Sequence, residues 1–211
     1  MKRVMQLIFA IAISFPTITT GQALTPEDLR AQIDAQTAQS DPFMDILNDP
    51  DSARSLAAVE LMINSGDPRL MQMAIDFGLQ SAAPPVRRAA VLGFLHTRPV
   101  LQVQVKLPED RADELREGFR KGTGGSVLAN GDAVYSVNVG DFDAENNCFV
   151  QKAGRRIACA VEVSPTGLTI SAYSDYGAKS ILNFNADGHL TGATSIDWVD
   201  GSFPTTLSIT D

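Results

Sequence analysis

A helix-sized pattern occurs three times at a spacing of sixteen residues, as DPDSARSLAAVELMI, SGDPRLMQMAIDFGL and SAAPPVRRAAVLGFL, covering 49–95. Ala58, Ala74 and Ala90 fall in register, as do Val59, Ile75 and Val91, and then Ile63, Leu79 and Leu95. Only about three or four residues separate the copies, so neighbouring helices must pack antiparallel. The aligned alanines suit that arrangement because small side chains let two helix axes approach closely. By Val100 the period has become two: Leu101, Val103, Val105 and Leu107 alternate with Gln102, Gln104 and Lys106, a half-buried strand. Three short helices whose apolar stripes need cover, followed at once by strands, make an interlocked two-part fold.

Local signals refine the helical part. Thr25-Pro26-Glu27-Asp28 is a helix start, with a capping threonine, proline at the first helical position and acids at the positive helix end. This helix is expected to run to about Gln39, with a separate short turn of helix around Phe43, Ile46 and Leu47. In the second copy Asp67 caps and Pro68 opens the helix, while Leu70, Met73, Ala74 and Phe77 form a stripe. In the third, Pro84 and Pro85 set the start, and Val86, Ala89, Ala90 and Phe94 form the stripe.

The third copy, APPVRRAAVLGFL, resembles a helix of a HEAT-type repeat in its proline-led start, its Val-Arg step and its paired alanines. Two helices at this spacing make a unit of about 32 residues, and the resemblance covers 49–97. It implies a protein-binding surface and no catalysis. Ala82 and Ala83 stand where an acidic residue often precedes such a helix. With at most two units the array falls below the roughly three needed for an independent solenoid. An ordinary helical bundle is the other reading.

The strand-rich part follows in sequence. Pro108 to Lys121 is expected as a surface helix, acids first and bases last, with Ala112, Leu115 and Phe119 inward and Gly122 ending it. Gly124-Gly125 follow that helix, so they do not have the placement of a phosphate-binding loop. Asn130-Gly131 is a strong hairpin signal, joining 126–129 to 132–139. With a turn at Ala153-Gly154, Cys148 falls opposite Cys159 and Val150 opposite Ile157, which predicts a cross-strand disulfide between Cys148 and Cys159. Further strands are expected near 168–172, 180–185 and 189–199, with a last one through Phe203, Leu207 and Ile209. The fold class expected is α+β: an N-terminal antiparallel, HEAT-like helical array over 24–98, then an antiparallel β-sandwich or partly open barrel over 99–211.

Residues 1–23 have the layout of a secretory signal peptide: Lys2 and Arg3, an apolar run from Val4 to Phe15, and Gly21-Gln22-Ala23 as a small-residue exit. That run is too short for a spanning helix of about 20 residues. The mature chain is therefore expected in a periplasm or outside the cell, without stable membrane insertion. Loss of Lys2 and Arg3 takes the net charge from −8 to −10, which disfavours nucleic acid and anionic lipid as partners. An oxidising compartment also favours the disulfide.

Candidate chemistry is sparse. His96 sits at a helix end, where a cation suits the dipole. Arg87 and Arg88 suit an acidic group or a solvated helix face. Asp141, Asp143, Glu145 and Asn147 alternate in a loop, but Asn146 and Lys152 stand where a calcium helix-loop-helix site needs glycine and an acid. His189 and Asp187 lack any hydrolase signature around them. Tyr173, Tyr176 and Trp198 are candidates for core or for a ligand surface. No cofactor or metal is implied. The function expected is an exported, non-catalytic protein-interaction or scaffold module. The alternatives are a ligand-binding β-domain with a helical cover, taking a small molecule, and a carboxylate-based hydrolase.

Overall fold

The computed structural model describes residues 25–153, 156–174, 177–185 and 189–209. The leader expected over 1–23 lies outside them. Among the described residues there are five α-helices: α1 (Pro26–Leu47), α2 (Ser52–Ile63), α3 (Pro68–Gln80), α4 (Pro84–His96) and α5 (Ala112–Thr123), the last preceded by a 3-10 turn at Glu109–Arg111. The same residues form ten strands: β1 (Val100–Lys106), β2 (Ser126–Val127), β3 (Asp132–Asn138), β4 (Phe142–Asp143), β5 (Cys148–Ala153), β6 (Arg156–Val163), β7 (Gly167–Tyr173), β8 (Gly177–Phe184), β9 (Leu190–Ile196) and β10 (Val199–Leu207). The fold is mixed α+β.

The chain divides into two compact units, 1–41 and 42–211. In the first, a capping box starts α1: Thr25 Oγ1 accepts from the Asp28 amide at 3.1 Å, and the Asp28 carboxylate accepts from the Thr25 amide at 3.2 Å. The break expected after Gln39 does not occur. α1 continues to Leu47 with Pro42 inside it, although an internal proline removes one backbone bond. In the second unit, buried Ser55 donates to the Leu47 carbonyl at 2.7 Å and so engages an orphan acceptor at the end of that helix.

The sixteen-residue pattern becomes three helices that begin at Ser52, Pro68 and Pro84. Asp51 and Asp67 cap the first two by accepting from the amides of Ala53 and Arg69, whereas Ala83 has no side-chain cap to offer. Their buried residues serve two cores. Ala58, Val59, Met62, Ala74 and Val86 join Leu47 in a helical cluster. Ile75, Leu79, Ala90, Val91 and Leu95 belong to the main core together with the sheet. α3 and α4 touch at Gly78, where a Cβ would come within 2.5 Å of Ala90 Cβ.

All ten strands belong to one antiparallel sheet in the order β2-β3-β1-β10-β9-β8-β7-β6-β5-β4. An antiparallel sandwich or partly open barrel was expected; among the described residues one continuous ten-stranded sheet forms, because each hairpin from β4 to β10 sets its strand beside the one before. β1 and β3 both show strict alternation of exposed and buried residues, so one face is packed and the other meets solvent.

The sheet is open by its pairing, with β2 and β4 at its edges, and it coils back on itself. β3 and β4 stand second and tenth in the order, yet only residues 139–141 join them. Laid flat, eight spacings would separate them by about 38 Å, while so short a link reaches only about 14 Å. The Gly140 amide donates to the Val150 carbonyl at 2.8 Å, and the Val150 amide to the Asp141 carbonyl at 2.9 Å, which ties the end of β3 to β5. The packed face is the inner one. α5 lies across one end of it, near Ile196 and Val199, and α4 reaches the other, where Arg87 stacks 5.0 Å from the Phe184 ring.

A row of buried hydroxyls crosses this inner face. Tyr135 Oη lies 2.5 Å from Ser180 Oγ, Ser180 Oγ 2.5 Å from Thr194 Oγ1, and Thr194 Oγ1 2.7 Å from Thr205 Oγ1, which donates to the Phe203 carbonyl at 2.8 Å. Since Thr205 uses its proton on Phe203, each hydroxyl before it must donate forward, and Tyr135 heads the chain as donor. Burial pushes the Tyr135 phenol up to about 12.

The disulfide pair Cys148–Cys159 is present with Cα atoms 5.6 Å apart, compatible with an oxidising compartment. Its register differs from the one expected. A shift between Phe149 and Val150 sets Val150 opposite Cys159 and Lys152 opposite Ile157, so the bridge spans a β-bulge. No helix among the described residues is long and apolar enough to cross a membrane.

Candidate functional site

The clearest irregularity in the sheet is the outer edge of β3. Asn130 and Gly131 turn β2 into β3, with Gly131 at φ +80° and the Asn130 side chain accepting from the Asp132 amide at 3.1 Å. β1 then pairs with β3 along its whole length, from Val100↔Asn138 to Lys106↔Asp132. The Leu107 amide donates to the Gly131 carbonyl and the Val139 amide to the Pro99 carbonyl, so odd-numbered residues of this strand turn their backbone groups toward β1. Even-numbered residues turn theirs outward.

Three outward positions are occupied. The Asp132 carbonyl accepts from the Leu128 amide at 2.7 Å, Val134 pairs with Ser126, and Gly140 bonds to Val150. Ser136 and Asn138, between them, have no strand partner among the described residues. β2 ends its pairing at Val134 because it is two residues long, and Gly125 packs directly against the Val134 carbonyl and Tyr135 Cβ. The result is a gap in the edge with two N–H and two C=O groups facing out, bounded by β2 on one side and β5 on the other.

A groove of about 480 Å³ lies beside this edge on the solvent face, lined by Gln104, Lys106, Ser126, Leu128, Asp132, Val134, Pro204 and Thr206. Lys106 Nζ donates to the Asp132 carboxylate and to the Asn130 carbonyl, each at 2.9 Å, and so pins the hairpin turn. These bonds, first from Lys106 and then from Asn130, hold the Asp132 carboxyl below its ordinary value. Leu128 and Val134 are exposed and give the groove its apolar part. The gap offers directional backbone groups, and the groove next to it, at the β2 end, a mixed apolar and charged lining.

The residues singled out from sequence lie elsewhere. His96 ends α4 with its ring 5.7 Å from Phe142 and 5.1 Å from Phe149, a packing role at an exposed helix end. Asp141 pairs with Arg98, and Asp143 accepts from the Glu145 and Asn146 amides and from Asn146 Nδ2, which lowers its carboxyl. Asp141 is thus held by a distant arginine and Asp143 by its own turn, and among the described residues no group of three His, Cys, Asp or Glu could hold a metal ion. The His189 amide donates to Asn185 Oδ1 in the hairpin between β8 and β9; Asp187 and Tyr176 lie outside the described residues. Gly124 caps α5 at φ +73°.

The aromatic candidates divide. Tyr173 donates from its hydroxyl to the Cys159 carbonyl at 3.1 Å. Trp198 was expected in a strand; it sits in the turn between β9 and β10, 89% exposed with φ +65°. Arg87 and Arg88, which suit a solvated face or an acidic group, are both half-buried. The inner face, which a ligand-binding β-domain would leave hollow, is occupied by Tyr135, Val161, Ile170 and Leu182, all fully buried. Sequence patterning marked the residues of the open edge only as one half of a hairpin. The missing partner of Ser136 and Asn138 is a property of long-range pairing and leaves no local signal.

Compared with known proteins, the chain matches no family model, no curated protein and no solved structure.

Proposed function

We propose that this protein is an exported, non-catalytic interaction module that holds an extended segment of a partner protein by strand addition at the β3 edge. The observation that carries this reading is the unpaired outward backbone of Ser136 and Asn138, set between two positions that are paired. An exposed strand edge is a template for another chain, and main-chain bonds supply affinity while neighbouring side-chain pockets supply selectivity. The groove lined by Leu128, Val134, Lys106 and Asp132 adjoins the β2 end of this gap and would take side chains from one end of such a segment. In this reading the coiled sheet works as a partly open barrel whose seam is the docking edge. The HEAT-like helices serve as its cover rather than as a free recognition surface.

The test uses the full mature chain and a displayed library of extended peptides. Peptides that bind should protect the Ser136 and Asn138 amides from hydrogen exchange. Ser136→Pro removes one outward N–H and should weaken them by about tenfold, the scale of one or two lost hydrogen bonds. Peptides that protect only residues of α2 to α4, or that bind a well-folded Ser136→Pro variant unchanged, would overturn the reading.

A further inference from the structure

A second site lies where α4 meets the turn between β6 and β7. A cleft of about 150 Å³ is walled by Pro84, Val163, Pro165 and Phe184, with Arg87 and Arg88 on its helical side. Other arginines of this acidic chain are tied to carboxylates: Arg54 to Asp49, Arg98 to Asp141, Arg111 to Glu114, Arg116 to Asp113 and Arg120 to Glu117. Arg87 and Arg88 make no ion pair among the described residues, and both are half-buried. Arg87 is fixed by its stacking on Phe184, and its Nε is buried without a hydrogen-bond partner. A buried donor of this kind calls for an acceptor.

The polar groups of the opposite wall narrow what that acceptor is. Ser164 Oγ donates to the Gly167 carbonyl and accepts from the Thr166 and Gly167 amides. Thr166 Oγ1 donates to Asn183 Oδ1 at 2.9 Å. The Ser164 amide donates to the Gly167 carbonyl, and Pro165 has no amide proton. Hydroxyl and amide donors of this turn are therefore engaged, and the side-chain donors left to a guest are the two guanidinium groups. A neutral polyol would find few donors and two uncompensated cations; an anion would find charge-assisted ones. The cleft, at about 150 Å³, suits a compact head group.

We infer that the Arg87–Arg88 cleft is a binding site for a small oxyanion, phosphate or sulfate in kind, either free or as the head group of a larger molecule. The planar guanidinium fork matches such tetrahedral oxygens in a way a lysine would not.

The test is a titration of the full mature chain with sodium phosphate at fixed ionic strength, followed by ¹H–¹⁵N spectra, with sulfate, acetate and chloride arms. Phosphate or sulfate should give saturable shifts at the Arg87 Nε–H and the amides of residues 163–166. Acetate alone saturating would move the assignment to a carboxylate and overturn it as stated. Arg88→Gln, which leaves the Phe184 stack intact, should weaken phosphate by about tenfold or more, as expected for a lost charged hydrogen bond. Arg87→Gln should do the same where it folds, and Lys179→Gln should change nothing. Shifts that fail to saturate, that chloride reproduces, or that persist in Arg88→Gln would refute the site.

Discussion

The one-way hydroxyl chain across the inner face makes a prediction that a generic polar cluster does not. Tyr135, Ser180, Thr194 and Thr205 are each no more than 2% exposed, so a broken link cannot be repaired by bulk water. Tyr135→Phe deletes the first donor and leaves Ser180 Oγ short of one bond while its own proton stays engaged. The expected loss is about 1 kcal/mol, the net worth of one hydrogen bond. Ser180→Ala removes the acceptor for Tyr135 and the donor for Thr194, stranding the phenol proton in an apolar core. Its expected loss is about 3 kcal/mol, mostly the desolvation of that orphaned donor. Adding Tyr135→Phe to Ser180→Ala then removes the orphan, so the double variant should be more stable than Ser180→Ala alone, with a total loss of about 1.5 kcal/mol. The cycle therefore carries a coupling of roughly 2 to 3 kcal/mol, at the upper end for neighbouring residues. Equilibrium urea unfolding reads it directly as shifts in midpoint at constant slope. Additive losses within about 0.5 kcal/mol, or a Ser180→Ala variant milder than Tyr135→Phe, would refute the direction assigned to the chain.

Three further outcomes follow from particular contacts. The Tyr135 phenol titrates at about 12 in the fold against about 10 when unfolded, so above pH 10 the unfolded state holds fewer protons. Stability should thus be intact below pH 10 and fall by about 2 to 3 kcal/mol as pH rises through 12, a loss that Tyr135→Phe abolishes in pH-dependent urea titrations. Gly78→Ala gains about 1 kcal/mol of helix propensity, but its methyl meets Ala90 Cβ at 2.5 Å; a net loss of about 1 to 2 kcal/mol in thermal or urea unfolding is expected, and a gain would show that α3 and α4 separate freely. Cys148→Ser opens a loop closed over a sequence separation of 11 and should cost about 2 to 3 kcal/mol, measured by comparing the variant with the oxidised protein; equal midpoints would mean the bridge constrains nothing.

Features set by neighbours in the chain were legible in the sequence. Asp67 before Pro68, the alternation of Leu101 with Gln102, and Asn130-Gly131 each act through a few bonds and appear where expected. Features set by competition between distant partners were not. α1 runs through Pro42 against the local propensity. The turn at Asp197-Trp198 contains no glycine, and Trp198 takes a positive φ that its side chain does not advertise. Beyond the bulge at Phe149 and Val150, Val150 lies opposite Cys159 instead of Ile157, a slip of two residues that leaves the alternation of residue types unchanged. The open β3 edge is the strongest example. Ser136 and Asn138 differ from Val134 only in what happens to lie beside them.

β10 is the last strand along the chain but the fourth across the sheet, wedged between β1 and β9. Val103 meets Leu207, a separation of 104 residues, while β5 to β9 are joined by short hairpins that can form as they are made. Assembly is thus split into an early local meander and a late closing step that waits for the final strand, which is the slow kind of contact. Until Val199–Leu207 arrives, β1 and β9 both present raw edges. A chain truncated before Val199 would not simply lack a strand; it would expose two sticky surfaces, and its fate would be aggregation rather than a looser version of the same fold.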